Sequence, residues 1–247
     1  MLGLPDGVSA CLFDLDGVLT QTAKVHAAAW KEMFDGFLRE RAERSGEAFV
    51  AFDAGHEYDE YVDGLPRADG VRSFLAARGI ELPEGAEGDP ADAETVKGLG
   101  TRKNEFVLKL IKEQGVDPYE GSVRYLHAVR DAGLRRAVVS SSTNCEEVLQ
   151  AAGITDLLEA RVDGRVAERE RLRGKPAPDT FLAGARALGV NVEECVVFED
   201  ALAGVEAGRA GGFPAVIGVD RTGQAEALAA HGATRVVADL AELLEDS

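Results

Sequence analysis

Apolar runs of strand length recur along this chain, separated by helical stretches, and that alternation constrains the fold more than any other feature. The runs cover residues 8–13, 134–139, 194–198, 213–219 and 235–238. Most are apolar on both faces, as strands buried inside a parallel sheet must be. Between them, residues 124–132, 146–152 and 179–188 read as helices. Each is followed by a glycine (Gly133, Gly153, Gly189) suited to a left-handed C-terminal cap. Strand alternating with helix predicts an α/β fold built on a doubly wound parallel sheet.

Residues from about 22 to about 114 break the rhythm. Residues 25–44 have helical spacing, carried by Val25, Ala28, Ala29, Met33 and Phe37. Residues 71–78 and 105–113 also read as helices, whereas 82–100, rich in Gly, Pro and acids, reads as a loop. No strand pattern occurs here. The expectation is a core made of 1–21 and 115–247, with a small helical domain, 22–114, inserted after the first strand.

With 44 acidic and 27 basic side chains the formal charge is -17. Such a chain lacks the basic patch that a nucleic acid backbone or an anionic membrane surface needs. Its three cysteines, Cys11, Cys145 and Cys195, form no CxxC and are too scattered for a disulfide framework or zinc site. No signal peptide is read at the N-terminus, and the uncharged run 210–219 is too short to span a bilayer. A cytoplasmic protein, a monomer or weak oligomer, is expected.

Four segments carry chemistry. The first strand runs into Asp14-Leu15-Asp16-Gly17, two carboxylates one residue apart at the strand's carboxyl end. Open α/β sheets bind ligands at that end. One carboxylate can attack phosphorus while the other moves a proton. An Asx turn is the alternative there, while a calcium loop is excluded because its later ligands are missing. Ser140-Ser141-Ser142-Thr143-Asn144 follows the second apolar run. Its hydroxyls and free amides at a helix start suit a phosphate, and Asn144 with Glu147 fits a capping box. Lys175 in Gly174-Lys175-Pro176 sits in a stiff segment, where an immobilised ammonium can neutralise a phosphoryl group. Glu199-Asp200 ends another apolar run, and adjacent buried acids of this kind suit a magnesium ion.

Taken together, DxDGVxT, SSS, GKPAPD and FEDAxxG, in residues 14–22, 140–144, 174–179 and 198–204, resemble the haloacid dehalogenase superfamily and its β-phosphoglucomutase-like subgroup. The resemblance covers nearly the whole chain, weakest in 40–62, 80–98 and after 220. It implies a Rossmann-like core with a helical cap and phosphoryl transfer through an aspartyl phosphate on a sugar phosphate. Asp14 would be the nucleophile. Asp16 would be the general acid/base, with its backbone carbonyl on Mg2+. Ser140 and Lys175 would hold the phosphoryl group, and Glu199 and Asp200 would complete the metal environment with Asp14.

The same resemblance extends to substrate-binding positions. Thr22, His26 and Trp30 match a TxxxHxxxW-type stretch, although core packing is the favoured role for Trp30. Gly64-Leu65-Pro66-Arg67 is similar to the cap loop whose arginine holds a distal phosphate. Arg102-Lys103-Asn104 is similar to a stretch facing the sugar, and Ser141, Ser142 and Asn144 belong to the phosphate loop. Gln21 stands where the family usually has Asp, and Thr143 where mutases often carry Lys. The implied reaction is conversion of β-D-glucose 1-phosphate to glucose 6-phosphate. A sugar-phosphate phosphatase and a non-catalytic sugar-phosphate-binding protein are the alternatives.

Overall fold

The computed structural model describes residues 2–245. The first strand, β1 (Ala10–Phe13), is followed by four helices: α1 (Ala23–Ser45), α2 (His56–Tyr61), α3 (Arg67–Ala77) and α4 (Val96–Gln114). Then come α5 (Glu120–Asp131), β2 (Arg135–Val139), α6 (Cys145–Ala151), β3 (Ala160–Val162), α7 (Gly164–Glu170), α8 (Asp179–Leu188), β4 (Cys195–Glu199), α9 (Leu202–Ala210), β5 (Ala215–Val219), α10 (Ala225–His231), β6 (Arg235–Val237) and α11 (Glu242–Glu245). Among the described residues, no helix is long and apolar enough to cross a membrane.

The chain divides into two compact units. The first comprises Met1–Thr22, Gly64–Pro66 and Val116–Ser247, and the second Ala23–Asp63 and Arg67–Gly115. The helical segment is therefore not one uninterrupted insertion, because Gly64–Pro66 cluster with the first unit. There a side chain at Gly174 would collide with Pro66, its Cβ falling 2.1 Å from Pro66 Cγ.

In the first unit all strand pairings are parallel, in the order β3-β2-β1-β4-β5-β6. Every residue of β1, β4 and β5 is buried, as strands covered on both faces require. Side chains alternate between the faces. Phe13 stacks on Phe198 at 4.5 Å with Tyr125 against both. Ala10, Leu12, Ala137, Val139, Cys195 and Val197 pack with Phe181 of α8 on the other side. The connections from β1 lead to β2 and β3, then return to β4 on the opposite flank of β1. The strand order thus reverses between β1 and β4, where sheets of this class open a crevice.

Strand β3 has no counterpart in the sequence reading. It is three residues long with Arg161 at its centre, too short and too polar for an apolar-run criterion. Helix α8 ends, as its sequence implies, on Gly189 in the left-handed conformation.

The second unit contains no strand among its described residues. Its core is aromatic: Phe34 lies 4.0 Å from Phe74 and 5.1 Å from Phe52, centroid to centroid, and stacks on Trp30. On α1 the buried stripe is Ala29, Trp30, Met33, Phe34, Phe37 and Leu38, a spacing of three and four residues. Ala28, expected on that stripe, is exposed. Helix α4 starts at Val96, nine residues before the expected start, so the end of the expected 82–100 loop is helical. Thr95 caps it by accepting from the Gly98 amide at 2.9 Å. Gly98 and Gly100, poor helix formers, disguise that first turn.

Candidate active site

The site is built where β1 and β4 end. Phe13 pairs with Phe198, and the Asp14 amide donates to the Phe198 carbonyl at 2.9 Å. The pairing therefore delivers Asp14 and Glu199 to the same end of adjacent strands. Beyond Asp14 the chain closes on itself. The Gly17 amide donates to the Thr20 carbonyl at 2.8 Å and the Leu19 amide to the Leu15 carbonyl at 2.9 Å. Ser122 of α5 donates to the Val18 carbonyl at 2.7 Å. Gly17 has φ +87°, and a Cβ there would lie 1.7 Å from Asp200 Oδ2. The DxDG turn needs glycine on both counts.

Asp14, Glu199 and Asp200 are buried, and each offers a carboxylate oxygen within 4.8 Å of the others. Lys175, 2% exposed, lies among them. Its Nζ donates to Asp14 Oδ1 at 2.5 Å, to Glu199 Oε1 at 2.6 Å and to the Val139 carbonyl at 3.2 Å. Burial pushes the Asp14 carboxyl well above the usual carboxylate range. Lys175 opposes that shift, while Glu199 and Asp16 add to it. For Lys175, burial pulls the ammonium down, but Asp14 and Glu199 outweigh it and raise the group above ordinary lysine. Glu199 also accepts from the Ala201 amide at 2.8 Å, and a Cβ at Gly204 would fall 1.6 Å from Glu199 Oε1. The start of α9 is thus moulded around this carboxylate.

These residues fit a divalent cation. The donors are carboxylate oxygens, the choice of hard cations such as magnesium. They crowd negative charge into a buried space, where Lys175 pairs with Asp14 and Glu199. Adding positive charge offsets the repulsion from Glu199 and Asp16 that adds to the effect of burial on Asp14.

Asp16 is half-buried, and its Oδ1 accepts from the buried Thr22 hydroxyl. Thr22 is also 2.7 Å from the Thr20 hydroxyl. Thr22 was expected among the substrate-binding residues; the structure makes it a partner of Asp16, a relation that residue order does not reveal.

The serine loop adjoins through Val139, whose carbonyl holds Lys175. Ser140 is buried, and its Oγ accepts from the Ser142 amide at 3.1 Å; Ser142 Oγ in turn accepts from the Asn144 amide at 3.1 Å. Ser141 donates to the Gly64 carbonyl at 2.8 Å, so its hydroxyl hydrogen is directed at that backbone. Asn144 is the residue before α6, but its side chain makes no capping hydrogen bond. Its φ of -104° and ψ of 15° depart from the extended conformation that a capping box uses, so the box expected with Glu147 does not form. Cys145 is buried behind this loop, and burial together with Asp16 pushes its thiol up. The free cysteines Cys11, Cys145 and Cys195 are all buried.

The remaining expected residues lie within the second unit. Lys103 is buried, with its Nζ 2.8 Å from His26 Nδ1 and 4.8 Å from the Trp30 ring centroid. Arg67, at the start of α3, donates from Nη1 to the Gly100 carbonyl of α4 at 3.3 Å. Asn104 follows Lys103 and is half-buried. Trp30 also packs in the aromatic core.

Comparison with known proteins agrees with this architecture. The family model described as haloacid dehalogenase-like hydrolase matches residues 8–212. A β-phosphoglucomutase of Mycobacterium bovis is 57% identical over 247 residues, covering 99% of this chain and 94% of that protein. A β-phosphoglucomutase of Bacillus subtilis is 30% identical over 209 residues, covering 85% and 82%. Among solved structures, a β-phosphoglucomutase from Clostridium difficile superposes with a TM-score of 0.72 at 27% identity, covering 96% of this chain and 93% of that one.

Proposed function

The chain belongs to the haloacid dehalogenase-like hydrolase family, and from that premise we propose that it is a magnesium-dependent β-phosphoglucomutase, converting β-D-glucose 1-phosphate to glucose 6-phosphate. The observation that carries the choice of reaction is the 57% identity, over 99% of the chain, to a relative bearing that name. The buried grouping of Asp14, Lys175, Glu199 and Asp200 supports the chemistry.

Asp14 Oδ is the nucleophile that takes the phosphoryl group. In the first half-reaction the aspartyl phosphate passes its phosphoryl group to the sugar's 6-hydroxyl, and Asp16 removes that hydroxyl's proton. In the second, Asp14 attacks phosphorus at the 1-position of the resulting bisphosphate. The P–O bond to the sugar breaks, and Asp16 returns the proton to the departing oxygen. Thr22 orients Asp16 for both transfers. Lys175 neutralises charge on the phosphoryl oxygens, and Ser140 with the amides of its loop binds them. Asp14, Glu199, Asp200 and the Asp16 backbone carbonyl would hold Mg2+, which when bound offsets charge on the transferring group. Arg67, Lys103, Asn104 and His26 are the residues we assign to recognising the sugar phosphate, and the helical unit, Ala23–Asp63 with Arg67–Gly115, is the one we assign as cap. The same reading has the enzyme act in the cytoplasm on a small molecule, without nucleic acid or membrane partners.

A coupled assay for glucose 6-phosphate, primed with the bisphosphate, tests the proposal. Isomer formation is the expected result. Release of inorganic phosphate with no isomer would make the enzyme a sugar-phosphate phosphatase instead.

A further inference from the structure

The loop between β5 and α10 carries two side chains that no motif in the sequence reading includes. Arg221, with its side chain 14% exposed, donates from Nε to the Gly17 carbonyl at 2.9 Å. Its Nη1 donates to the Ala238 carbonyl at 2.7 Å and to Asp239 Oδ2 at 3.0 Å. Its guanidinium carbon sits 3.6 Å from the Tyr119 ring centroid, and the Tyr119 amide donates to the Leu19 carbonyl at 2.9 Å. Three residues along, Gln224 Nε2 donates to the Asp200 carbonyl at 3.2 Å. Asp220 Oδ1 stiffens the loop itself by accepting from the Gly223 amide at 2.7 Å, the Gln224 amide at 2.8 Å and the Thr222 amide at 3.2 Å.

One short loop therefore grips the backbone on both sides of the carboxylate cluster. It holds the turn carrying Asp14 and Asp16 at Gly17, and the turn carrying Glu199 and Asp200 at Asp200. Those two turns touch where the Gly17 Cα faces the Asp200 carboxylate, with no room for a methyl group between them. A shift of the Gly17 peptide is transmitted directly to Asp200. A planar fork donating in two directions while stacked on a ring suits such a bracket better than a lysine's point charge.

We propose that Arg221 and Gln224 are positioning residues. By bracing the Gly17 and Asp200 carbonyls they set the spacing of the Asp14, Glu199 and Asp200 carboxylates, and with it the pocket's affinity for a divalent cation. The inference rests on the reading of that pocket as a magnesium site. Groups that orient ligands without touching the metal typically contribute about tenfold to a hundredfold in affinity or activity.

The test is direct Mn2+ binding, followed by electron paramagnetic resonance of free Mn2+ on the full-length protein without substrate, alongside thermal unfolding of the metal-free forms. Arg221→Ala is expected to weaken Mn2+ binding by about tenfold or more, with Arg221→Lys restoring part of the loss. Gln224→Ala is expected to weaken it less, and this single-bond variant decides the matter if Arg221→Ala does not fold. In turnover, kcat at limiting metal should fall while KM for the sugar phosphate holds. Wild-type Mn2+ affinity in the folded variants, even with a lowered unfolding temperature, would make the loop merely structural and overturn the proposal. A wild-type protein that binds no Mn2+ would instead overturn the metal-site reading, and the proposal with it.

Discussion

Lys175 Nζ lies 2.5 Å from Asp14 Oδ1, with both side chains buried, so the proposed nucleophile and the cation expected to steady its phosphoryl group already form a pair. Replacing Lys175 by Met keeps the volume and deletes the charge. Asp14 and Glu199 are then left facing each other without it. Breaking a buried pair in this way costs about 3–5 kcal/mol, and loss of a preorganised cation lowers turnover by about a hundredfold or more. Urea unfolding of the metal-free protein and steady-state kinetics should register both. Wild-type values in either would detach Lys175 from the role assigned to it.

Asp14 gives a prediction of opposite sign for stability. Its carboxyl titrates well above the usual range in the fold, so the folded state holds the proton more tightly than the unfolded chain. Stability contributed by this group is then present below the unfolded pKa and lost as pH rises through the folded one. Above the unfolded pKa, therefore, keeping this carboxyl in its buried place costs the metal-free fold stability. Asp14→Asn should therefore abolish turnover yet raise the unfolding temperature without metal, by about 2–4 °C for each kcal/mol relieved. The gain should vanish in acid. A variant less stable than wild type at neutral pH would contradict this. Lys175, raised in the fold, behaves differently: its contribution is intact across neutral pH and is lost only as strongly alkaline pH passes the folded value.

The Thr22 hydroxyl donates to Asp16. Thr22→Val is nearly isosteric and removes that bond. A hydrogen bond to a charged group contributes about 1.5–3 kcal/mol, and if it is needed mainly in the transition state, kcat falls by about tenfold to a hundredfold. KM should change little. An unaltered kcat would show that Asp16 needs no such partner.

What the residues alone disclosed, and what they hid, follows from the range over which each feature is determined. The central strands were readable because burial on both faces leaves continuous apolar runs. The edge strand around Arg161 was not, since its three residues are defined by pairing with β2. Asp14, Asp16, Lys175, Glu199 and Asp200 stand in short local patterns at strand ends. The bonds from Thr22 to Asp16, from Ser141 to Gly64 and from Arg221 to Gly17 join residues whose partnership depends on the folded chain. The Asn144–Glu147 capping box was locally plausible and failed because the serine loop sets the backbone at Asn144.

The role proposed for Arg67 gives a test that separates a mutase from a simple phosphatase. If its guanidinium reads the phosphate that is not being transferred, Arg67→Ala should cut sugar-phosphate isomerisation by about tenfold or more while hydrolysis of a small aryl phosphate stays near wild type. Parallel kinetics on the two substrates check it. Equal losses would remove Arg67 from distal-phosphate recognition.

The central claim is that Asp14 itself carries the migrating group. Incubating the enzyme with a radiolabelled bisphosphate and Mg2+, quenching in acid and sequencing the labelled peptide tests it most directly. The account predicts an acid-stable, hydroxylamine-sensitive phosphoryl group on Asp14, absent from Asp14→Asn. Turnover in the wild type with the label on another residue, or with no covalent label at all, would contradict it.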